Sequence, residues 1–446
     1  MKNLVIFCLL TAFLLSMTAC APAPLKNFDS SERTEDDREL TIGVFGINNF
    51  EEYASRFNRQ AEQEFTVRLI DYQYTGDGTR ETAIARLNAE LAAGKGPDLI
   101  DFDTVPSRDI YARHGLLRDM SDYFYSEFQL DDFYMLDKLN GAGSLYFLPT
   151  HFNIITAFGH PDLFGEVNSW SLADYQRLQS LPQFADTPAD TKESFMAKLQ
   201  TSLIPRWIDL EQGVCRFADE SFIDALRFAG TLDDTPYASN ASPEELVAEG
   251  SLLYSEAWID SPYEICKIER ALGGPAAYIG YPTVDGCLGN YMFAYGLCGV
   301  NAATKKADYA WKFIRFLLVE DPLIYDKAWI GIPVLKTAVR QKVDGMLHPY
   351  AEYEGKTITV NADGTFEVDG VHQDMTYDPT PYITEGQAER FYGLISRCER
   401  VYEFDPTVYG LLTNAARRYF SGQCSAEDAG AELQDRVSIY LSEQYG

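Results

Sequence analysis

The chain has 446 residues, and its 67 acidic against 37 basic side chains give a formal net charge of −30. Such an excess of negative charge repels phosphate backbones, so the composition argues against nucleic acid as a partner. Hydrophobic residues make up 46% and aromatic residues 13% of the sequence, which is ample for a packed core and, at this length, predicts two or more domains.

The N-terminus has the pattern of an export signal. Lys2 precedes a short apolar run that ends at Met17, and two small residues then lead into Cys20. This pattern predicts a signal peptide at 1–19. The residues before Cys20 resemble the lipobox of bacterial lipoproteins, which implies a lipid such as palmitate on Cys20; an ordinary secretory signal with an incidental cysteine is the alternative. The charge-dense, Pro-containing segment 20–38 predicts a flexible tether.

The next segment alternates strand and helix patterns. LTIGVFG, FTVRLIDY and DLIDFD read as strands, and two stretches with apolar residues at helical spacing separate them. This βαβαβ order predicts a parallel, helix-covered sheet, in which ligands gather at the loops that follow the strands. Those loops contain Asn48 and Asn49 after the first strand and Asp103 after the third.

The rest of the chain continues the α/β pattern. The run LYFLPTHFNIITAFGH is strand-like, SLLYSEA and PAAYIGYP each predict a strand followed by a loop, and MFAYGLCGV leads into an amphipathic helix that begins near Ala307. Alternation around an Asp-Gly pair predicts a hairpin near 356–372. Ser425 and Asp428 form the capping box of a final helix.

Six cysteines follow Cys20, and none of them forms a CxxC pair. Export permits disulfides, but six cysteines allow 15 pairings, so buried thiols and one or two bridges stay equally open. The six are Cys215, Cys266, Cys287, Cys298, Cys398 and Cys424.

Several segments, taken in order, resemble a known family. LNAELAAGKGPDLIDFD, GYPTVDG, CGVNAATKKADYAWKFIRFLL and YFSGQCSAEDAGAELQDRVSIYL are similar to the extracellular sugar-binding proteins of ABC importers, the solute-binding protein family that includes maltose-binding protein. The resemblance implies an α/β, two-lobed, periplasmic-binding-protein-like fold, in which a central sheet in each lobe is joined to the other by a hinge of several strands. Lobe one would hold 39–148 plus 292–337, and lobe two 150–290 plus 338–446.

A sugar site needs carboxylates, amides and aromatic rings on facing loops, because hydroxyls need paired donors and acceptors and C–H patches lie flat on rings. The candidates with these chemistries at strand ends or crossings are Asn48, Asn49, Asp103, His151, Phe152, Trp258, Asp260 and Tyr281, with Trp207 as a further one. Each has a structural alternative. The asparagines form turns, the aspartates cap helices, and the aromatic residues and His151 pack in the core or hinge.

No catalytic, metal or cofactor motif accompanies these residues. The five histidines are scattered, and neither GxSxG nor zinc-like Cys/His spacing occurs. We therefore expect a non-catalytic, monomeric, lipid-anchored receptor on the outer face of the cell membrane. It would capture a carbohydrate, most simply an oligosaccharide, and present it to ABC permease subunits. The alternatives are a secreted glycoside hydrolase, whose paired carboxylates sequence does not locate, and a glycan- or peptide-binding lipoprotein without an importer.

Overall fold

The computed structural model describes residues 38–60, 64–74, 78–140, 143–165, 167–184, 187–209, 212–237, 239–326, 328–347, 350–353, 356–360, 366–373, 383–403 and 405–445. The predicted signal peptide, Cys20 and nearly all of the predicted tether lie outside these residues. Among the described residues, no helix has both the length and the apolar character that a membrane span requires.

The described helices lie between the strands and at the C-terminal end of the chain. They are α1 (Phe50–Asn58), α2 (Arg80–Ala92), α3 (Asp109–Arg113), α4 (Ser121–Tyr125), α5 (Leu136–Asn140), α6 (Pro161–Phe164), α7 (Leu172–Gln179), α8 (Lys192–Trp207), α9 (Glu220–Gly230), α10 (Pro243–Ala248), α11 (Pro262–Leu272), α12 (Ala307–Arg315), α13 (Lys336–Leu347), α14 (Glu385–Arg397), α15 (Pro406–Phe420) and α16 (Ala426–Tyr445). A π-helical turn at Phe316–Glu320 extends α12.

The described strands are β1 (Glu39–Val44), β2 (Thr66–Asp71), β3 (Leu99–Asp101), β4 (His151–Gly159), β5 (Ile208–Asp209), β6 (Val214–Cys215), β7 (Tyr254–Ile259), β8 (Ala277–Tyr278), β9 (Tyr291–Tyr295), β10 (Cys298–Val300), β11 (Ile332–Pro333), β12 (Tyr350–Tyr353), β13 (Lys356–Val360), β14 (Phe366–Val368), β15 (Val371–Gln373) and β16 (Arg400–Val401). The predicted order β1, α1, β2, α2, β3 is confirmed.

The first sheet has the strand order β10, β3, β1, β2. β1 and β3 are parallel, as the βαβαβ pattern predicts, while β10 runs antiparallel to β3. Since β1 and β3 end at the same edge, the loops that carry Asn49 and Asp103 lie together there. The Asn49 amide nitrogen is 3.4 Å from a carboxylate oxygen of Asp103.

The second sheet is organised around β4. β11, β9, β7 and β8 all pair with it in antiparallel orientation, and β16 joins β9 in parallel. At the start of β4, His151 lies opposite both Tyr295 and Pro333. Strands β4, β9 and β11, which lie at or near the expected boundaries between lobe one and lobe two, are therefore side by side.

A glycine separates two strands that the sequence pattern joins into one run. Gly296 has φ +58, and a Cβ added there would meet the Thr150 hydroxyl at 2.1 Å. The left-handed conformation and this close approach require glycine. As a result β9 ends in the second sheet and β10 begins in the first.

The central strand β4 of the second sheet has a hydrophobic core on each of its two faces. Ile154 and Phe158 of β4 belong to a core shared with the first sheet and with α10, α11 and α14. Their neighbours Ile155 and Ala157 belong to a separate core with α7, α8, α9, α15 and α16. This alternation follows from the two-residue period of a strand.

Three further predictions are decided by the structure. The hairpin near 356–372 is part of a four-stranded antiparallel sheet, β12 to β15, whose predicted Asp-Gly turn lies outside the described residues. The Ser425–Asp428 capping box is confirmed, with hydrogen bonds of 3.3 and 3.1 Å. None of the six described cysteines forms a disulfide, so the alternative with bridges is wrong for them.

Candidate functional site

On the face of the second sheet that packs against α7, α8 and α9, the helices cover only one half. Tyr254 on β7 and Tyr291 on β9 are 1% exposed under the helices, whereas Trp258, on the same face of β7, is 42% exposed. Phe293 and Tyr295, further along β9, are half-buried. Aromatic side chains thus form a surface where the helical cover ends.

We call the side chains of Trp258, Phe293, Tyr295 and His151 the aromatic row. Their ring centroids follow one another at 5.6, 4.8 and 5.4 Å, and the last pair, Tyr295 and His151, is stacked with ring planes nearly parallel, at 10°. Tyr402, just after β16, stacks on Phe293 at 5.4 Å. Such spacings are those of favourable aromatic pairs, so the rings support one another as a platform.

Polar groups border the aromatic row. The Trp258 indole Nε1 donates to a Glu256 carboxylate oxygen at 2.8 Å, and the Tyr281 hydroxyl donates to the other oxygen. Asp260 accepts a hydrogen bond of 2.8 Å from Ser261. Within the described chain, the buried Oδ1 of Asn153 has no hydrogen-bond partner.

Asp103 faces this region from the first sheet. Its carboxylate accepts hydrogen bonds from the backbone N–H groups of Gly296 and Leu297, at 2.9 and 2.8 Å. Burial raises the pKa of Asp103 to about 6, against the lowering effect of these hydrogen bonds. Burial also raises the pKa of Tyr295, and the negative charges of Asp103 and Asp260 act in the same direction. The two carboxylates therefore lie near the aromatic row.

His151 connects the aromatic row to α1 and to the start of β4. Its Nδ1 lies 2.8 Å from the Thr150 hydroxyl and 3.2 Å from the Tyr53 hydroxyl on α1. Burial lowers the pKa of His151 to about 4, so the ring is neutral at pH 7. A Cβ at Gly331, just before β11, would meet the His151 ring at 2.3 Å, so this position requires glycine.

A polar junction links the loop after β3 to the C-terminal region. We define the rim junction as Ser107 and Arg108 on one side and Glu403, Asp405 and Tyr440 on the other. The Ser107 hydroxyl donates to Asp405 at 2.7 Å and lies 3.2 Å from the Tyr440 hydroxyl, and Arg108 Nη2 donates to Glu403 at 2.8 Å. Ser107 has φ +51, an unusual conformation for serine.

The structure brings together some of the sequence candidates. Asn49, Asp103, His151, Trp258 and Asp260 lie at or near the aromatic row and its facing loop. Asp103 does not act as the helix cap named as its alternative, because its carboxylate accepts hydrogen bonds from the β9–β10 connection. The N-cap of α11 is Ser261 and not Asp260.

Other candidates have the structural roles named as their alternatives. Phe152 is fully buried on the opposite face of β4, and Trp207 is 5% exposed with its Nε1 bonded to Ser221, so neither ring offers a ligand surface. Tyr281 is 2% exposed and reaches the site only through its hydroxyl. Asn48 shapes a turn, donating to the Gly46 carbonyl at 2.7 Å and accepting from the Glu51 N–H at 3.1 Å.

Sequence reasoning missed four residues at the row: Phe293, Tyr295, Glu256 and Asn153. Phe293 and Tyr295 alternate along YMFAY, and Glu256 stands two residues before Trp258, which places each pair on one face of its strand. This alternation can be read from the sequence, but it does not show which face of the sheet the helices cover.

Chemically, the arrangement offers flat apolar rings edged by acceptor oxygens. It suits a ligand that has both C–H surfaces and hydroxyl groups. Within the described chain, no cluster of three or more His, Cys, Asp or Glu side chains could hold a metal ion.

The model of the bacterial extracellular solute-binding protein family matches residues 52–354. No protein with curated annotation matches the chain.

Solved structures with the same fold include three binding proteins. The sugar-binding protein MalE of Xanthomonas citri has a TM-score of 0.56 and 15% identity, with 91% of this chain and 98% of that chain covered. A periplasmic oligogalacturonide-binding protein of Yersinia enterocolitica gives 0.55 and 15%, covering 91% and 99%. An ABC transporter solute-binding protein of Thermotoga lettingae, bound with α-D-tagatose, gives 0.52 and 12%, covering 91% and 100%. At these identities the likeness establishes the two-lobed fold.

Proposed function

Because the chain belongs to the bacterial extracellular solute-binding protein family, we propose that it captures a carbohydrate, specifically a neutral oligosaccharide, for an ABC importer. The protein is then a receptor without catalysis of its own. The observation that carries the proposal is the partly exposed aromatic row with acceptor oxygens along its edge.

The row matches a sugar chain in shape and chemistry. Pyranose rings present C–H faces that pack on aromatic rings, and their hydroxyls need acceptors such as the carboxylates of Asp260 and Asp103 near the row. The row's partly exposed rings, Trp258, Phe293 and Tyr295, span two successive spacings of 5.6 and 4.8 Å, which together are longer than one sugar ring and favour an oligosaccharide over a monosaccharide.

The charges near the row favour a neutral ligand. Glu256, Asp260 and Asp103 are carboxylates, and an anionic sugar acid placed among them meets like-charge repulsion. In contrast, sugar hydroxyls donate hydrogen bonds to carboxylates, and such charge-assisted bonds are stronger than neutral ones.

Lobe closure completes the site in this proposal. Lobe one, 39–148 plus 292–337, carries Asn49 and Asp103, and lobe two, 150–290 plus 338–446, carries Trp258 and Asp260. A hinge motion about the crossing strands then brings the two sets of side chains onto opposite sides of the ligand.

The same proposal places the protein on the outer face of the cell membrane as a monomer. A lipid on Cys20 anchors it, and 20–38 tethers the lobes at a distance from the bilayer. ABC permease subunits receive the ligand from the closed lobes. The support is the lipobox-like sequence before Cys20 together with the family.

The direct test is a thermal-shift screen of residues 39–446 with glucose, maltotriose, cellotriose, xylotriose, trigalacturonate and trialanine. A ligand that binds only the folded protein at a hundred times its Kd stabilises it by about 2.7 kcal/mol. We expect a neutral trisaccharide to raise Tm more than glucose and trigalacturonate to have no effect. A shift with trialanine alone would overturn the carbohydrate assignment.

Prolonged incubation separates binding from hydrolysis. The bound trisaccharide should remain intact when its reducing ends are assayed over a day. Accumulating reducing ends would support the glycoside hydrolase instead.

The anchor has its own test in a bacterial host. Cys20→Ser should move the full chain from the membrane fraction to the soluble extracytoplasmic fraction, while the matched variant Cys424→Ser should stay in the membrane fraction. Membrane association of the Cys20→Ser chain would contradict lipid anchoring.

A further inference from the structure

The Glu256 carboxylate is held between two donors of different kinds. One oxygen accepts from the Trp258 indole at 2.8 Å, and the other accepts from the Tyr281 hydroxyl. Glu256 and Trp258 are two residues apart on β7, so their side chains emerge from the same face. Glu256 thereby connects an exposed ring to a buried one.

Trp258 needs such a connection because little else restrains it. Its side chain is 42% exposed, and its aromatic neighbour is Phe293 at 5.6 Å and 52° on one side. A ring that exposed can adopt other staggered rotamers, and fixing it costs conformational entropy. A charge-assisted hydrogen bond from the indole N–H selects one orientation before any ligand arrives.

Tyr281, in turn, is fixed from the buried side. It is 2% exposed, and its backbone N–H donates to the Gly289 carbonyl at 3.0 Å. A Cβ at Gly289 would lie 2.1 Å from the Tyr281 carbonyl oxygen, so the two segments are in close contact. Burial and the nearby Glu256 charge raise the pKa of Tyr281 well above its usual value, which keeps the hydroxyl protonated and able to donate.

A buried ion pair lies beneath this tyrosine. Lys198 Nζ is 2.7 Å from Asp190 and 5.9 Å from the centre of the Tyr281 ring, and it is 4.7 Å from the centre of the Tyr254 ring. The rings of Tyr254 and Tyr281 are therefore packed against the Lys198 ammonium, which is held in place by its ion pair with Asp190.

From this geometry we propose that Tyr281 and Glu256 are positioning residues that set the orientation of the Trp258 indole as a ligand platform. The role rests on the proposed function, since it concerns how the aromatic row is prepared for a carbohydrate. Tyr281 acts without touching the ligand, through the carboxylate of Glu256.

The first experiment needs no ligand. Iodide quenching of tryptophan fluorescence reports mainly on Trp258, because Trp170, Trp207 and Trp311 are at most 5% exposed and Trp329 is half-buried. We expect Tyr281→Phe and Glu256→Ala to change the quenching constant and the near-UV circular dichroism. Glu256→Gln should preserve both, since its amide oxygen still accepts from the indole. Identical signals in all variants and the parent protein would overturn the proposal.

The second experiment is a double-mutant cycle with the trisaccharide that gives the largest thermal shift. Glu256→Ala in the parent protein should weaken binding about three- to tenfold, the range of one lost hydrogen bond. In a Trp258→Ala background it should produce no further loss, because the residue acts through the indole. An equal loss in both backgrounds would show that Glu256 contacts the sugar itself and would overturn a positioning role.

Controls keep folding and function apart. In the described structure the Ser255 hydroxyl donates only a long hydrogen bond of 3.4 Å, to the Glu256 backbone carbonyl. Ser255→Ala should therefore leave quenching and affinity unchanged. Each variant's Tm identifies a folding defect. If Trp258→Ala leaves the affinity for every sugar intact, the proposed platform fails, while the quenching results still decide whether Tyr281 and Glu256 orient the indole.

Discussion

The two halves of one face of the second sheet use the same kinds of residue with opposite results. In the covered half, Tyr254 packs against Trp170 and Tyr175, with ring centroids 5.2 and 5.6 Å away, and is 1% exposed. In the open half, Trp258 on the same strand is 42% exposed. What separates core from platform is therefore the helical layer above the strand and not the strand sequence.

The covered half also contains a buried charge. Asp190 accepts hydrogen bonds from Tyr175 at 2.9 Å, Ser194 at 2.8 Å and Lys198 at 2.7 Å, and from the Tyr254 hydroxyl. The carboxylate side chain has no exposed surface. A network that satisfies so many groups fixes the covered half rigidly, and the open half is built on that support.

Removing the buried Asp190 charge is the strongest test of the difference between the covered and the open half. Asp190→Ala leaves the Lys198 ammonium buried without its partner, and we expect the free energy of unfolding to fall by about 3–5 kcal/mol. Urea denaturation measures it as a lower midpoint at unchanged slope. Asp162→Ala, at a side chain 90% exposed, should change stability by less than about 0.5 kcal/mol. A small effect at Asp190 would mean that the covered half does not depend on the network.

A matched pair of phenylalanines tests the same distinction with one substitution. Phe152→Ala removes a fully buried ring and should cost about 3–5 kcal/mol of stability. Phe293→Ala removes a half-buried ring of the aromatic row, so we expect a stability loss of roughly 1–2 kcal/mol and a clear loss of trisaccharide affinity. Calorimetric titration and urea denaturation of both variants give the comparison. Equal stability losses with equal affinities would remove the difference between core and platform.

Much of the fold could be predicted because it depends on local patterns. The alternation of β1, α1, β2, α2 and β3 and the capping box at Ser425 were visible in the sequence and are confirmed. The strand predicted in SLLYSEA and the loop after it are confirmed, but β7 extends through Trp258 to Ile259, and the loop is short because α11 begins at Pro262.

The site was less predictable because coverage is a tertiary property. The helices that pack over Tyr254 are α7 to α9, α15 and α16, which lie far apart in the chain. Sequence could identify Trp258 as an aromatic residue near a strand end, but it could not show that Phe152 points to the other core or that Phe293 and Tyr295 extend the row.

The carboxylate that faces the open half should make stability depend on pH. The pKa of Asp103 is raised from 3.8 to about 6 in the fold, so its contribution to stability is present below pH 4 and lost as pH rises through 6. For Asp103→Asn we expect the stability difference, variant minus parent, to rise between pH 4 and 7 by an amount on the order of 2 kcal/mol.

The difference between the two proteins cancels titrations that Asp103 does not influence, whereas Asp101, whose pKa is raised by burial and by the Asp103 charge, contributes to it. The pKa of His151 is lowered to about 4, so its contribution is present above pH 6.5 and lost as pH falls toward 4, but it is common to both proteins. Asp162→Asn should give a flat difference across the same range. A flat difference for Asp103→Asn would show that this carboxylate titrates normally and that its burial beside the row carries no electrostatic cost.

The smallest effect is expected at the rim junction, which flanks the open half without belonging to it. Ser107→Ala removes the hydroxyl that bonds Asp405 and approaches Tyr440, and we expect a loss of about 0.5–1.5 kcal/mol in stability. If the loop after β3 stays on the C-terminal region in the ligand-bound protein, trisaccharide affinity should fall as well, by about tenfold at most since 1.4 kcal/mol is a factor of ten. The control is Ser442→Ala, on the same helix as Tyr440. In the described structure the Ser442 hydroxyl donates only to the Ile439 carbonyl of its own helix, so the substitution should change neither stability nor affinity. Affinity equal to that of the parent, measured beside a confirmed stability loss, would mean that the junction stabilises the fold alone and that the open half binds its ligand independently of it.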